Sequence, residues 1–145
     1  MEAVAVDFDA GERRHLPRLL VADDSLTQRY ALSQFLRGNG YDVSEAGDGQ
    51  SVLRHLKECA VDLLLLDLNM PQSDGFEVLK YLQAHRRALP VVLLSGMPLD
   101  QIQQHMQRLH ERELPTLLLK PVDPQQLLQV LEMRLAGPMD LPEAT

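Results

Sequence analysis

Five polar side chains stand at the ends of short apolar runs, and together they could handle a phosphoryl group. Asp23-Asp24 follows LLVA, Asp67 follows LLLL, Ser95 follows VVLL and Lys120 follows LLL. Two carboxylates about 4 Å apart repel by about 4 kcal/mol at an effective dielectric near 20. Three clustered acids would therefore take up protons or recruit a cation. One lysine offsets only one charge. A hard divalent ion with oxygen ligands fits, and Mg²⁺ is the common choice where a phosphoryl group supplies further ligands. With Mg²⁺ bound, Asp67 can attack phosphorus, Ser95 can hydrogen-bond a phosphoryl oxygen, and Lys120 can neutralise charge on the same group. Gly96 keeps the approach open. Each residue alone has a plainer reading: Asp-Asp caps a helix, Ser-Gly makes a turn, and Lys-Pro lies in a loop.

The chemistry requires these residues to meet, so the elements that carry them decide the matter. Five runs read as strands: Leu19–Ala22, Tyr41–Glu45, Asp62–Leu66, Val91–Leu94 and Thr116–Leu119. The third and fourth are apolar at consecutive positions, as parallel strands covered on both faces are. Amphipathic helical patterns lie between and after them. Ser25 followed by Gln28 is a capping-box signature, ahead of the stripe Leu32, Phe35 and Leu36. Asp48 caps a second helix carrying Val52, Leu53 and Leu56. Asp74 with Glu77 caps a third, with Phe76, Leu79 and Leu82 facing inward. A fourth carries Ile102, Met106 and Leu109. The fifth opens at Asp123 with Pro124 in its first position, where a missing N–H costs nothing, and Leu128, Leu131 and Leu135 line its face. Strands alternating with helices imply right-handed crossovers and a parallel sheet with helices on both faces. In such a sheet all strand C-termini share one edge, where ligands bind. Asp23, Asp24, Asp67, Ser95 and Lys120 would then converge from four strands.

Composition sets the frame. The chain has 145 residues, 45% of them apolar, which fits a single globular domain. Residues 17–136 form the folded unit, residues 1–16 an N-terminal extension, and residues 137–145 a tail or linker. The lone Cys59 excludes an internal disulfide and fits a reducing, cytoplasmic compartment. It ends the second helix as a small core or half-buried residue. Apolar runs are too short for a membrane span, and the acidic start does not read as a signal peptide. A formal charge of −7 argues against a nucleic-acid footprint. His15, His55, His85, His105 and His110 have no metal spacing and read as solvated, as do Arg13, Arg14 and Arg18.

The set VADD, LLLLDLNMPQSDGFEVL, VVLLSG and LLLKP resembles the receiver domain of two-component response regulators, over about Leu19 to Leu135. The resemblance implies a CheY-like, flavodoxin-like (βα)₅ fold with strand order 2-1-3-4-5. It implies Asp67 as the phosphorylation site, taking its phosphoryl group from a histidine on a kinase or phosphotransfer protein. Asp24 and Asp67 would hold Mg²⁺ with the backbone carbonyl of Asn69, and Asp23 would act through water. Ser95 and Lys120 would sense the phosphoryl group, and the Lys120-Pro121 bond would be cis. Signalling would pass to a downstream effector protein or domain, and a homodimer is possible. Autodephosphorylation is the most enzyme-like activity implied.

Three features depart from the family pattern. Leu117 occupies the switch position where an aromatic is usual. HERELP, His110 to Pro115, replaces the usual Gly-Ala turn, and the Ser95 to Lys120 interval is long. Two other readings stand beside the receiver. A phosphatase of the haloacid dehalogenase type also uses an aspartate at a strand end with Mg²⁺, but wants an acid two residues later, where Asn69 stands. A degenerate receiver could serve as a dimerisation scaffold.

Overall fold

The computed structural model describes residues 16–70, 74–85, 88–106 and 116–136. The elements run β1 (Arg18–Ala22), α1 (Leu26–Gly38), β2 (Asp42–Ala46), α2 (Gly49–Glu58), β3 (Leu63–Asp67), α3 (Asp74–His85), β4 (Val91–Ser95), α4 (Leu99–Met106), β5 (Thr116–Leu119) and α5 (Pro124–Ala136). All strand pairings are parallel, in the order β2-β1-β3-β4-β5. That is the 2-1-3-4-5 order the resemblance implies.

The leucine runs explain the layers. Alternate residues of a strand face opposite sides of the sheet. Leu64 and Leu66 pack with Val52, Leu56, Phe76, Leu82 and Ile102 under α2, α3 and α4. Leu63 and Leu65 pack with Leu36, Leu127 and Leu131 under α1 and α5. All four β3 leucines are fully buried, so the unbroken apolar run reports a strand sandwiched between two helical layers.

Several boundaries move. The third and fourth strands reach one residue further than expected, so Asp67 and Ser95 are the last residues of β3 and β4. Both are paired backbone rather than loop: Asp67 sits opposite Leu94, and Ser95 opposite Leu119. The second strand begins at Asp42, after Tyr41. On α5 the fully buried positions are Leu127 and Leu131, with Leu128 and Leu135 only partly buried. The i, i+4 pair sits on the sheet, and the other two flank it. Cys59 is exposed at the end of α2, because the chain there has already left the core. Arg18 is not merely solvated. It donates to Asp62 across 44 residues from its backbone N–H at 2.7 Å and from its side chain at 3.1 and 3.2 Å. α3 begins at Asp74 itself, so its cap lies outside the described residues. Leu109, His15, His110, Arg13, Arg14, HERELP and the 137–145 tail also lie outside them, as do all but Leu16 of the N-terminal extension and the side chain of His105.

Asp48 caps α2 as expected, its Oδ1 accepting from the Ser51 N–H at 2.8 Å. That hydrogen bond is the main reason its carboxyl titrates below the ordinary value. A carboxyl depressed in the fold stabilises above its unfolded pKa, and the contribution is lost as pH falls through the folded value. Asp48→Ala should therefore lower stability by roughly 0.5–1 kcal/mol at neutral pH, the low end for an exposed cap. Urea titrations of both proteins should show the difference shrinking as the pH drops below the carboxylate range.

Candidate functional site

The C-terminal edge of the sheet brings the expected residues together. Asp23 follows β1, with its backbone N–H bonded to the Ala46 carbonyl of β2 at 3.1 Å. Asp67 ends the central strand and is 2% exposed. Asp24 is exposed at the rim. Carboxylate oxygens of Asp23, Asp24 and Asp67 lie within 4.8 Å of one another, a donor set able to hold a metal ion. All three are hard oxygen donors, and two of the three acids are buried, so the set fits Mg²⁺ by chemistry and charge.

Lys120 reaches this cluster from the end of β5. Its Nζ donates to Asp67 Oδ2 at 3.1 Å and lies 3.9 Å from Asp23 Oδ2. Its backbone N–H donates to the Ser95 carbonyl at 2.8 Å, which fixes the start of the side chain against β4. The Lys120-Pro121 bond is cis. Three acids against one ammonium leave the pocket with a net negative charge. Burial pushes the Asp23 carboxyl up. The Ser25 N–H, donating to Asp23 Oδ1 at 2.9 Å, opposes that, Asp67 reinforces it, and Lys120 opposes it again.

Asn69 joins two loops. Its backbone N–H donates to Asp67 Oδ1 at 2.9 Å, so both oxygens of Asp67 are engaged. Its side-chain Oδ1 accepts from the Gly96 N–H at 2.9 Å and, weakly, from Ser95 Oγ at 3.4 Å. Ser95 is fully buried, and its hydroxyl accepts from the Met97 N–H at 2.9 Å. Ser95 therefore stands beside the acids through Asn69. Leu117 is half-buried against the α2–α4 layer, opposite Leu93 and in the same cluster as Met97 and Ile102.

Three contributors were not singled out for the site from sequence. Arg29 donates to the Asp23 carbonyl at 2.7 Å and to Glu45 Oε1 at 3.0 Å, tying the first acid to the edge strand. Gly75 lets α3 approach β3, since a Cβ there would lie 3.1 Å from the Asp67 carbonyl oxygen and 3.1 Å from Leu68 Cα. A glycine in the first turn of a helix, where it is costly, was the available signal. Gln28 was read only as a cap, yet its side chain contacts Lys120.

Fold and edge together define the class: a doubly wound parallel α/β domain with a lysine-bridged acidic pocket at its switch-point edge. Comparison with known proteins agrees. The model of the response regulator receiver domain matches residues 19–132. The transcriptional regulatory protein ZraR of Escherichia coli (strain K12) is 33% identical over 118 residues, 81% of this chain and 26% of that protein. Response regulator RR06 of Streptococcus pneumoniae is 42% identical over 79 residues, 54% of this chain and 36% of that protein. The chain thus spans about a third or less of these relatives. Among solved structures, Vibrio cholerae chemotaxis protein CheY4 aligns with a TM-score of 0.71 at 28% identity, covering 81% of this chain and 98% of that one. A receiver protein from Pseudomonas putida aligns at 0.73 and 27%, covering 83% and 99%. The chain belongs to the response regulator receiver domain family of two-component signalling. No helix among the described residues is long and apolar enough to cross a membrane.

The raised Asp23 carboxyl has a testable sign. A carboxyl whose folded pKa lies above its unfolded one favours the fold when protonated, and that benefit is lost as pH rises through the folded pKa. At neutral pH without Mg²⁺ the ionised Asp23 is therefore a cost. Asp23→Asn should raise the unfolding free energy in metal-free buffer, because the amide removes the cost of burying that charge. Urea unfolding in the presence of a chelator measures it, and a less stable variant would mean that Lys120 fully compensates the acid.

Proposed function

We propose that this chain is the phosphoacceptor of a two-component pathway and that Asp67 is the phosphorylation site. The observation that carries the reading is the Asp67 carboxylate itself. It is buried at the end of the central strand, among two other acids, with the Lys120 ammonium 3.1 Å from one oxygen. An Asp67 oxygen attacks the phosphorus of a phosphohistidine on a kinase or phosphotransfer protein. The P–N bond breaks, and its electron pair returns to the donor imidazole. Lys120 neutralises charge on the transferred group, and the Ser95 hydroxyl donates to one of its oxygens after leaving Asn69.

Asp24 and Asp67 would hold Mg²⁺, with the Asn69 backbone carbonyl as a further ligand and Asp23 acting through water. When bound, the ion supplies positive charge against the acids and the phosphoryl oxygens. Asn69 also speaks against a turnover phosphatase, because its amide has no acidic proton to give and its oxygen is committed to Gly96. The protein is thus a phosphoacceptor with at most self-catalysed loss of its own phosphoryl group. We assign residues 17–136 to the receiver, with residues 1–16 and 137–145 as flanking segments, and place it in the cytoplasm. Output passes by protein contact to an effector protein or domain. Leu117 has no ring to trade an exposed hydrogen bond for a buried one, so the readout rests mainly on Ser95 and the segment that follows it.

Acetyl phosphate with Mg²⁺ should label the wild-type protein, and Asp67→Asn should stay unlabelled in intact-mass spectra. Labelling of that variant at the wild-type level would overturn the assignment. Asp24→Ala should weaken Mg²⁺ binding at least about tenfold in a titration, since two remaining acids are too few to hold a reluctantly dehydrated ion.

A further inference from the structure

The Gln28 side chain departs from the arrangement its sequence context implies. In a capping box the N3 glutamine reaches back to the N–H of the capping serine. Half of that box is present, because Ser25 Oγ accepts from the Gln28 N–H at 3.3 Å. The other half is pre-empted, because the Ser25 N–H donates to Asp23 Oδ1 at 2.9 Å. Gln28 turns away from its own helix and spans 92 residues of sequence, its Oε1 accepting from Lys120 Nζ at 3.1 Å.

We propose that Gln28 is a positioning residue for phosphoryl transfer, holding the Lys120 ammonium at the working distance from Asp67. This inference rests on the phosphoacceptor reading given above. A lysine ammonium is a point charge on a flexible four-carbon stem, with three donors to place. Here one donor goes to Asp67 Oδ2 at 3.1 Å and one to Gln28 Oε1 at 3.1 Å, with Asp23 Oδ2 at 3.9 Å on the remaining side. The amide fixes direction without cancelling charge. A carboxylate in its place would share the ammonium and weaken its pull on an incoming phosphoryl group. An apolar side chain would leave the stem free to swing, or to collapse onto the two acids. Gln28 and Lys120 also line a cavity of about 470 Å³ together with Leu32, Leu94 and Leu127. The ammonium thus sits between the acid cluster and open space, with room to move from a carboxylate oxygen to a phosphoryl oxygen.

Gln28→Met and Gln28→Glu keep the chain length and the helix. With the full-length protein, acetyl phosphate and Mg²⁺, both should slow labelling of Asp67 by about three- to tenfold. That is well short of the 10²–10³ typical when a charge-stabilising donor is itself removed. Gln28→Glu should be the slower, and both should bind Mg²⁺ within about twofold of wild type, because the acids are untouched. The Lys120 Cε–Hε resonances should shift in both variants, a readout that loss of a helix cap would leave in place. Unchanged rates overturn the inference and leave the phosphoacceptor reading intact. Slowed labelling with unmoved Lys120 resonances assigns the loss to the helix and also overturns it. Failure of the wild type itself to become labelled overturns both readings.

Discussion

The repulsion among three carboxylates at one sheet edge is the constraint around which the rest of the molecule is arranged. Asp23 and Asp67 are buried, where charge is costly, and Asp24 lies close enough to add to the field. The fold answers with fixed dipoles and one mobile charge. The Ser25 N–H takes one Asp23 oxygen, the Asn69 N–H takes one Asp67 oxygen, and Lys120 bridges the others. Each of these partners comes from a different loop or strand, so the pocket exists only where the elements are in register. The parallel pairing supplies that register: Ala22 lies opposite Leu66, which places Asp23 and Asp67 at the same height along neighbouring strands.

The two helical layers serve the site unequally. The layer of α1 and α5 encloses the lysine side, where Leu127 and Leu131 seal the sheet and Gln28 reaches over the edge. The layer of α2, α3 and α4 lies behind Asp67, where Gly75 permits a close approach of α3 to the strand end. Ser95 and Leu117 mark the boundary between acid chemistry and this second layer. Ser95 is bonded to the Met97 N–H at the start of the connection into α4, so movement of its hydroxyl toward Asp67 would act directly on that segment.

Much of this was legible in the sequence because it is local. Four leucines in a row can only be a strand buried on both sides or a helix, and their brevity before Asp67 decides between the two. Asp48 three residues before Ser51, and Pro124 after Asp123, announce helix starts through geometry that spans a single turn. The long-range assignments were not legible. The Arg18 bonds to Asp62 and the Gln28 bond to Lys120 join residues 44 and 92 positions apart, and nothing in either segment names its partner. Gln28 is the clearest case, since a local rule assigned its side chain to the Ser25 N–H, whereas Asp23 takes that N–H and the distant Lys120 takes the amide oxygen. Leu128 was placed inward by spacing alone, whereas Leu127 is the residue that is fully buried, one helical turn before Leu131.

The order in which the pocket is assembled follows from where its counter-charge is encoded. Lys120 lies 53 residues after Asp67, just past the edge strand β5, which follows the other four strands in the sequence. Domains are synthesised from the N-terminus and fold as units. A nascent chain that has already exposed β1, β2 and β3 therefore carries all three acids and none of the ammonium that bridges them. The counter-charge reaches the edge of the central strands only from the segment that follows β5. A chain truncated before Lys120 would carry all three acids with no ammonium among them, whereas Lys120 offsets one of the three charges and leaves the remainder for a cation.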